Sequence, residues 1–268
     1  MASPTVERWA LILGASSGFG AATARELSRQ GFHIAGVHLD RKATLPNVEQ
    51  VIRDIQQHGR QARFYNVNAA DPDKRKEVLD QLEPALKHST PPGQVMVLLH
   101  SLAFGTLKPY IAQDPKDVVS QDQVEMTLDV MANSLIYWTQ DLFYRKLLGP
   151  GSRIFAMTSS GGSRVWPSYG AVSAAKAALE SHMRQLALEL APYEVTANTI
   201  RAGVTDTPAL RKIPGNEQMM AFSKLRNPYH RLTTPEDVAK AVACLSNSET
   251  HWVTGNVIGV DGGEDIVG

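Results

Sequence analysis

Tyr169 and Lys176 stand seven residues apart in the segment Tyr169-Gly170-Ala171-Val172-Ser173-Ala174-Ala175-Lys176. A phenol can donate a proton or a hydrogen bond to a carbonyl oxygen, and a nearby ammonium favours the polarised phenol. The pair suits reduction of a carbonyl-containing substrate. Seven residues of helix make nearly two turns, so the spacing predicts both side chains on one helical face. A gap of four would also align them, closer by about 4.5 Å along the axis. Alanine-rich helices carry such pairs by chance as well, so the surrounding elements decide what this one means.

Short apolar runs alternate with helix-period segments along the whole chain. Strands are expected at Trp9 to Leu13, Phe32 to Leu39, Arg63 to Val67, Gln94 to His100, Arg153 to Ser159, Val195 to Arg201 and Asn256 to Val260. Helices are expected at Gly18 to Gln30, Val48 to His58, Asp73 to Lys87, Asp122 to Leu148, Ser168 to Leu190 and Pro235 to Leu245. This alternation predicts one α/β domain over residues 1–268, a seven-stranded parallel sheet with helices on both faces. The stretch Thr205 to Thr234, with Pro208, Pro214 and Pro228, reads as an irregular insertion: a substrate lid or a surface excursion.

Gly14-Ala15-Ser16-Ser17-Gly18-Phe19-Gly20 follows the first strand and opens the first helix. In that place, glycines permit a tight turn and close approach of backbone to phosphate, and the helix N-terminus favours an anion. A doubly wound dinucleotide-binding fold of Rossmann type is implied. At the end of the second strand, His38 stands where an acidic residue would bind the adenine ribose. Asp40, Arg41 and Lys42 follow. The basic pair can neutralise a 2′-phosphate and points to NADPH. With a longer strand, Asp40 could instead bind a 2′-hydroxyl, leaving NADH possible and the two cations as solvated surface charges.

Bulk properties narrow the field. Lys and Arg number 27, as do Asp and Glu, and this balance predicts neither a nucleic-acid nor a membrane surface. A single cysteine, Cys244, cannot close an internal disulfide, and the eight histidines show no metal-ligand spacing. Met1 to Val6 lacks a basic stretch leading into an apolar one, and no apolar run is long enough to span a bilayer. A cytoplasmic enzyme is expected.

Together these segments resemble the short-chain dehydrogenase/reductase family over essentially the whole chain. Leu13 stands where the family usually has Thr, and Asn68 where it has an Asp near the adenine. Asn198 to Thr207 is similar to the family segment that lines the nicotinamide, with Ala202-Gly203 for the usual Pro-Gly. Gly255 to Gly263 resembles the C-terminal strand and its Asp-Gly-Gly. Three departures narrow the resemblance. Val172 occupies the usual tyrosine position four before the lysine. His100-Ser101-Leu102-Ala103-Phe104 replaces Asn-Asn-Ala-Gly, and Met131 aligns with the usual helical Asn. All three are shared with the divergent enoyl-acyl-carrier-protein reductase branch, which has Tyr-x6-Lys. The short glycine loop is similar to that of the branch's NADPH-using type III enzymes.

The resemblance implies NADPH-dependent reduction of the 2,3 double bond of enoyl thioesters carried on acyl carrier protein in fatty acid synthesis. It implies cofactor contacts from Gly14, Ser16, Ser17, Gly18, Phe19, Gly20, His38, Asp40, Arg41, Lys42, Asn68, Ser101, Leu102, Ala103, Lys176, Ala202, Gly203, Val204 and Thr207. Tyr169 would donate to the thioester oxygen, and Lys176 would hold the nicotinamide ribose. Ser159, where the branch often has a second Tyr, would assist Tyr169 or cap the strand end. In ketone reduction hydride lands on the carbon bearing the oxygen, whereas in enoyl reduction it lands on C3 while charge develops on the C1 oxygen. A donor displaced by one helical turn is consistent with the second.

An acyl slot is expected from Phe104, Leu107 and Tyr110, and from Met219, Met220, Phe222 and Leu225; such residues are also ordinary core. Arg211, Lys212, Lys224 and Arg226 could meet an acidic carrier or be solvated. A homotetramer built on the two long helices and sensitivity to triclosan-type inhibitors are further implications. Carbonyl or hydroxysteroid reduction and a non-catalytic nucleotide sensor are the rival readings.

Overall fold

A computed structural model describes residues 6–267; of the N-terminal segment read for a leader, only Val6 falls within them. Seven parallel strands are ordered β3-β2-β1-β4-β5-β6-β7. They are β1 (Glu7–Leu13), β2 (His33–His38), β3 (Ala62–Asn66), β4 (Gly93–His100), β5 (Arg153–Thr158), β6 (Thr196–Ala202) and β7 (Val257–Val260). The helices are α1 (Gly18–Arg29), α2 (Leu45–Gln57), α3 (Pro72–Lys87), α4 (Gln121–Leu128), α5 (Ser134–Tyr144), α6 (Gly170–Leu190), α7 (Asn216–Arg226) and α8 (Pro235–Leu245).

Strand side chains alternate between two cores. Trp9, Leu11 and Leu13 of β1 join Leu79, Leu135 and Leu179 on one face. Ala10 and Ile12 join Leu27, Ile55 and Val238 on the other. Period-two alternation in a sheet covered on both sides produces this pattern, since both sets of side chains must be apolar. The chain reverses direction across the sheet between β1 and β4, where Leu13 and His100 are in register. Such a switch point opens a crevice beyond the strand ends, and ligands bind there.

Two expected elements differ. The helix expected over Asp122 to Leu148 is broken: a π-helical turn at Asp129–Asn133 separates α4 from α5, which ends at Tyr144. The insertion is less irregular than its prolines suggest. Within it, α7 is a three-turn helix preceded by left-handed Gly215. Among the described residues no helix is long and apolar enough to cross a membrane, and no His, Cys, Asp and Glu cluster could hold a metal.

Candidate active site

The glycine loop closes directly onto β4. Gly14 has φ +90°, and a Cβ there would lie 2.4 Å from the Ser101 carbonyl oxygen. A Cβ on Gly20 would lie 2.0 Å from the Gly14 carbonyl oxygen, so only glycine fits either position. Ser17 is the N-cap of α1 but makes no side-chain capping bond, and the first turn holds no acidic residue. The N–H groups of that turn remain free for an anion. The close backbone packing and the open helix end fit a dinucleotide pyrophosphate. Gly18 faces the Thr207 methyl, which brings the segment after β6 against the loop.

His38 is the last residue of β2. It is buried, packs on Phe64, and sets its Nδ1 3.0 Å from Asp40 Oδ2. Asp40, two residues on, brings its carboxyl to Ser16 of the glycine loop. Burial pushes the Asp40 carboxyl up, but hydrogen bonds from Thr44, Ser16 and His38 leave it below the usual carboxylate value. Asn66, which the sequence reading did not single out, clamps the Asp40 backbone by accepting from its N–H at 2.9 Å and donating to its C=O at 3.0 Å. Arg41 and Lys42 are exposed, and among the described residues neither makes an ion pair. Asn68 is exposed and accepts from Ala70 N–H at 3.1 Å, an Asx turn after β3.

The hydroxyl cluster forms where β5 meets α6. Ser159 Oγ accepts from Gly161 N–H at 3.2 Å and so caps the short turn Ser160–Gly162. Tyr169 stands beside the same hydroxyl. Burial raises the Tyr169 pKa, with the Ser159 bond opposing it, so the phenol is protonated at neutral pH. A Cβ on Gly161 would lie 2.5 Å from Tyr169 Cε1, and its absence lets the ring rest on the turn. Tyr169 is the N-cap of α6, not a residue within it as the spacing had suggested, and left-handed Ser168 (φ +61°) precedes it. Lys176, on the second turn of α6, donates from Nζ to the Met157 carbonyl at 2.6 Å. Burial pushes its pKa down to about 8, against the pull of Glu180.

The family's usual tyrosine position lines the cavity but carries no hydroxyl. Val172 is buried, and a Cβ on Gly105 would meet both Val172 Cγ2 and Met131 Sδ at 2.9 Å. Met131 lies in the π-turn, while Asn133 at its end faces away, its Oδ1 3.2 Å from His182 Nε2. His100 is fully buried with Nε2 2.9 Å from Ser134 Oγ, which itself donates to Val130 C=O at 2.9 Å. Desolvation, reinforced by the Lys176 charge, pushes the His100 pKa down to about 3 and keeps the imidazole neutral.

A cavity of about 420 Å³ lies over this cluster. Tyr169, Lys176 and Ser159 line it together with Phe19, Ser101, Leu102 and Ala103. Ala202, Gly203, Val204 and Thr207 line its far side. The rest of the expected cofactor set, namely Gly14, Ser16, Ser17, Gly18, Gly20, His38, Asp40, Arg41, Lys42 and Asn68, lies outside it, along the loop and the ends of β2 and β3. Of the expected acyl residues, Phe104, Leu107, Met219 and Phe222 line the cavity, and Met220, Tyr110 and Leu225 do not. The cavity face of α7 is Met219, Phe222, Ser223 and Arg226, an i, i+3, i+4, i+7 stripe that Met220 misses by one position. Arg164, Trp166 and Glu264 also line it, and the sequence reading passed over all three.

A doubly wound parallel sheet with a Tyr–Lys–Ser cluster beside a glycine-loop dinucleotide site defines a nicotinamide-dependent oxidoreductase of the short-chain class. Residues 14–264 match the family described as Enoyl-(Acyl carrier protein) reductase, and the chain belongs to that family. It is 32% identical over 171 residues to the enoyl-[acyl-carrier-protein] reductase [NADH] FabI of Enterococcus faecalis, covering 64% of this chain and 67% of the relative. It is 25% identical to the versicolorin reductase of Emericella nidulans, over 95% of this chain and 94% of the relative. A Burkholderia cenocepacia short-chain dehydrogenase in complex with NADP superposes with a TM-score of 0.81 at 25% identity, covering 97% of this chain and 98% of that one.

Proposed function

We propose that the protein reduces the 2,3 double bond of enoyl thioesters, presented on acyl carrier protein, with NADPH. The observation that carries this reading is the apolar Val172 in the ordinary tyrosine position, on a cavity wall it shares with Gly105 and Met131, while Tyr169 beside Ser159 supplies a phenol to the same cavity. The nicotinamide, when bound, supplies the hydride. Tyr169 hydrogen-bonds the thioester oxygen and stabilises the enolate charge that grows there. Ser159 orients the phenol. Lys176 lines the cavity and, charged, binds the ribose hydroxyls while favouring the polarised phenol. Phe104, Leu107, Met219 and Phe222 exclude water and hold the chain.

The direct test follows NADPH absorbance with crotonyl thioester, acetoacetyl thioester and simple ketones. Oxidation with the crotonyl substrate is the expected result; oxidation with the ketones alone replaces this reading with carbonyl reduction. The exposed Tyr144 on α5 and Leu188 on α6 suit the tetramer that the resemblance implies.

NADPH is preferred in this reading because Arg41 and Lys42 are exposed and unpaired among the described residues, while the Asp40 carboxylate is taken up by Ser16, Thr44 and His38. Replacing both cations by alanine should weaken NADPH binding by on the order of tenfold or more and leave NADH binding nearly unchanged. Tighter binding of NADH than NADPH by the unaltered protein would reverse the assignment.

A further inference from the structure

Glu264 is 4% exposed, although nothing in the sheet or the helices demands a carboxylate there. It opens the C-terminal turn Glu264–Ile266, just after left-handed Gly263. Its Oε2 accepts from Val204 N–H at 3.1 Å, at the exit of β6. The same carboxylate stands beside Ser223 and lies 3.9 Å from Arg226 Nη2, and both residues are on the cavity face of α7. A buried carboxylate needs polar partners, and it finds a donor in Val204 and a cation in Arg226, from two separate parts of the fold. Gly203 makes the approach possible: a Cβ there would lie 2.9 Å from Glu264 Oε2 and 2.4 Å from Thr233 Oγ1.

The next residue reaches the opposite way. Asp265 lies 3.1 Å from Arg201 Nη1 on β6 and 3.1 Å from Arg164 Nη2, whose guanidinium also donates to the Asp265 carbonyl at 2.8 Å. Arg164 belongs to the loop between Ser159 and Tyr169. Trp166, in the same loop, donates from Nε1 to the Pro214 carbonyl at 3.0 Å, immediately before α7. The lid helix is thus held at its start through Trp166 and at its end through Glu264.

We propose that the C-terminal turn is a clasp for the substrate lid, and that Glu264 is its positioning residue. It ties α7 to the backbone segment that borders the cofactor side of the cavity, and so sets the width of the acyl slot. The inference rests on the cavity's being the substrate site proposed above.

Two variants and two readouts test it. Glu264→Ala removes the acceptor from Val204 and the carboxylate beside Ser223 and Arg226 together; Glu264→Gln keeps an acceptor but not the charge. Amide hydrogen exchange of residues 216–226 should accelerate in Glu264→Ala while exchange in β1 and β4 stays as in the unaltered protein. KM for the acyl thioester should rise on the order of tenfold with kcat changed by less than about threefold, and Glu264→Gln should recover part of both effects. Unchanged exchange in α7 would overturn the clasp, and so would a uniform rise in exchange with kcat and Tm falling together. Because exchange is read without turnover, failure of the enoyl substrate in the unaltered protein refutes the substrate reading and leaves the clasp still measured.

Discussion

Tyr169→Phe should lower kcat on an enoyl thioester by on the order of a hundredfold or more, with little change in NADPH affinity by fluorescence titration. The substitution removes one hydroxyl and keeps the ring that rests on Gly161, so the cavity keeps its shape. What disappears is the donor to the oxygen on which charge develops. In a buried, water-poor site such a donor contributes about 3 kcal/mol to the transition state and little to the ground state. Ser159 is a poor replacement, because its hydroxyl caps the turn at Gly161 N–H, one short side chain back from where the phenol reached. Val172 offers no substitute either. Full activity in Tyr169→Phe would remove the tyrosine from the mechanism. A fall in kcat matched by an equal fall in cofactor affinity would assign it to cofactor binding instead.

The strands, the glycine loop and the Tyr–Lys–Ser cluster were legible in the sequence because each is a local signal. Alternating burial produces the continuous apolar runs of β1, β4 and β5, and the glycines mark the close approach of Gly14 to Ser101. The π-turn was not legible. Its residues Asp129–Asn133 keep an apolar, helix-like composition, and only packing of Met131 against Gly105 and Val172 distinguishes it. The surroundings of His38 were not legible for a similar reason. It is the last residue of β2 and is buried like the strand residues before it, and Asp40 is fixed by Asn66 from the neighbouring strand end. The prolines of the insertion concealed α7, which lies between Pro214 and Pro228 and contains none.

Glu264 illustrates the limit most sharply. In sequence it is one acidic residue after a Gly-Gly pair, with no periodicity to report its burial. Its meaning comes from Val204, Ser223 and Arg226, which lie 38 to 60 positions earlier in the chain. A contact of that separation leaves no local trace. Arg164 and Trp166 were missed on the same grounds, since their partners Asp265 and Pro214 are equally remote.

Lys176→Met should weaken NADPH binding on the order of tenfold or more and at the same time stabilise the unliganded protein at pH 7. The first effect follows from losing the only buried cation in the cavity wall, a donor of charge-assisted hydrogen bonds to the ribose in the mechanism proposed here. The second follows from the direction of its pKa. Burial holds the lysine at about 8, below the ordinary value of 10.5. Below pH 8 both folded and unfolded chains carry the proton, and the folded state bears the full desolvation cost, roughly 3 kcal/mol from that difference. Between pH 8 and the ordinary lysine range the unfolded chain binds the proton and the folded one does not, so this cost fades as pH rises. Removing Nζ also strips the Met157 carbonyl of its donor, which returns about 1 kcal/mol. The net expectation is a Tm higher by roughly 5 °C at pH 7, with the gain shrinking as pH climbs through 8 and beyond. The affinity of the unaltered protein for NADPH should weaken over the same rise, as the free enzyme loses the charge that Lys176 carries. A lower Tm in Lys176→Met, or a stability gain that grows with pH, would show that the lysine is held by its partners more strongly than its burial opposes it. Unchanged NADPH affinity would take it out of the cofactor site.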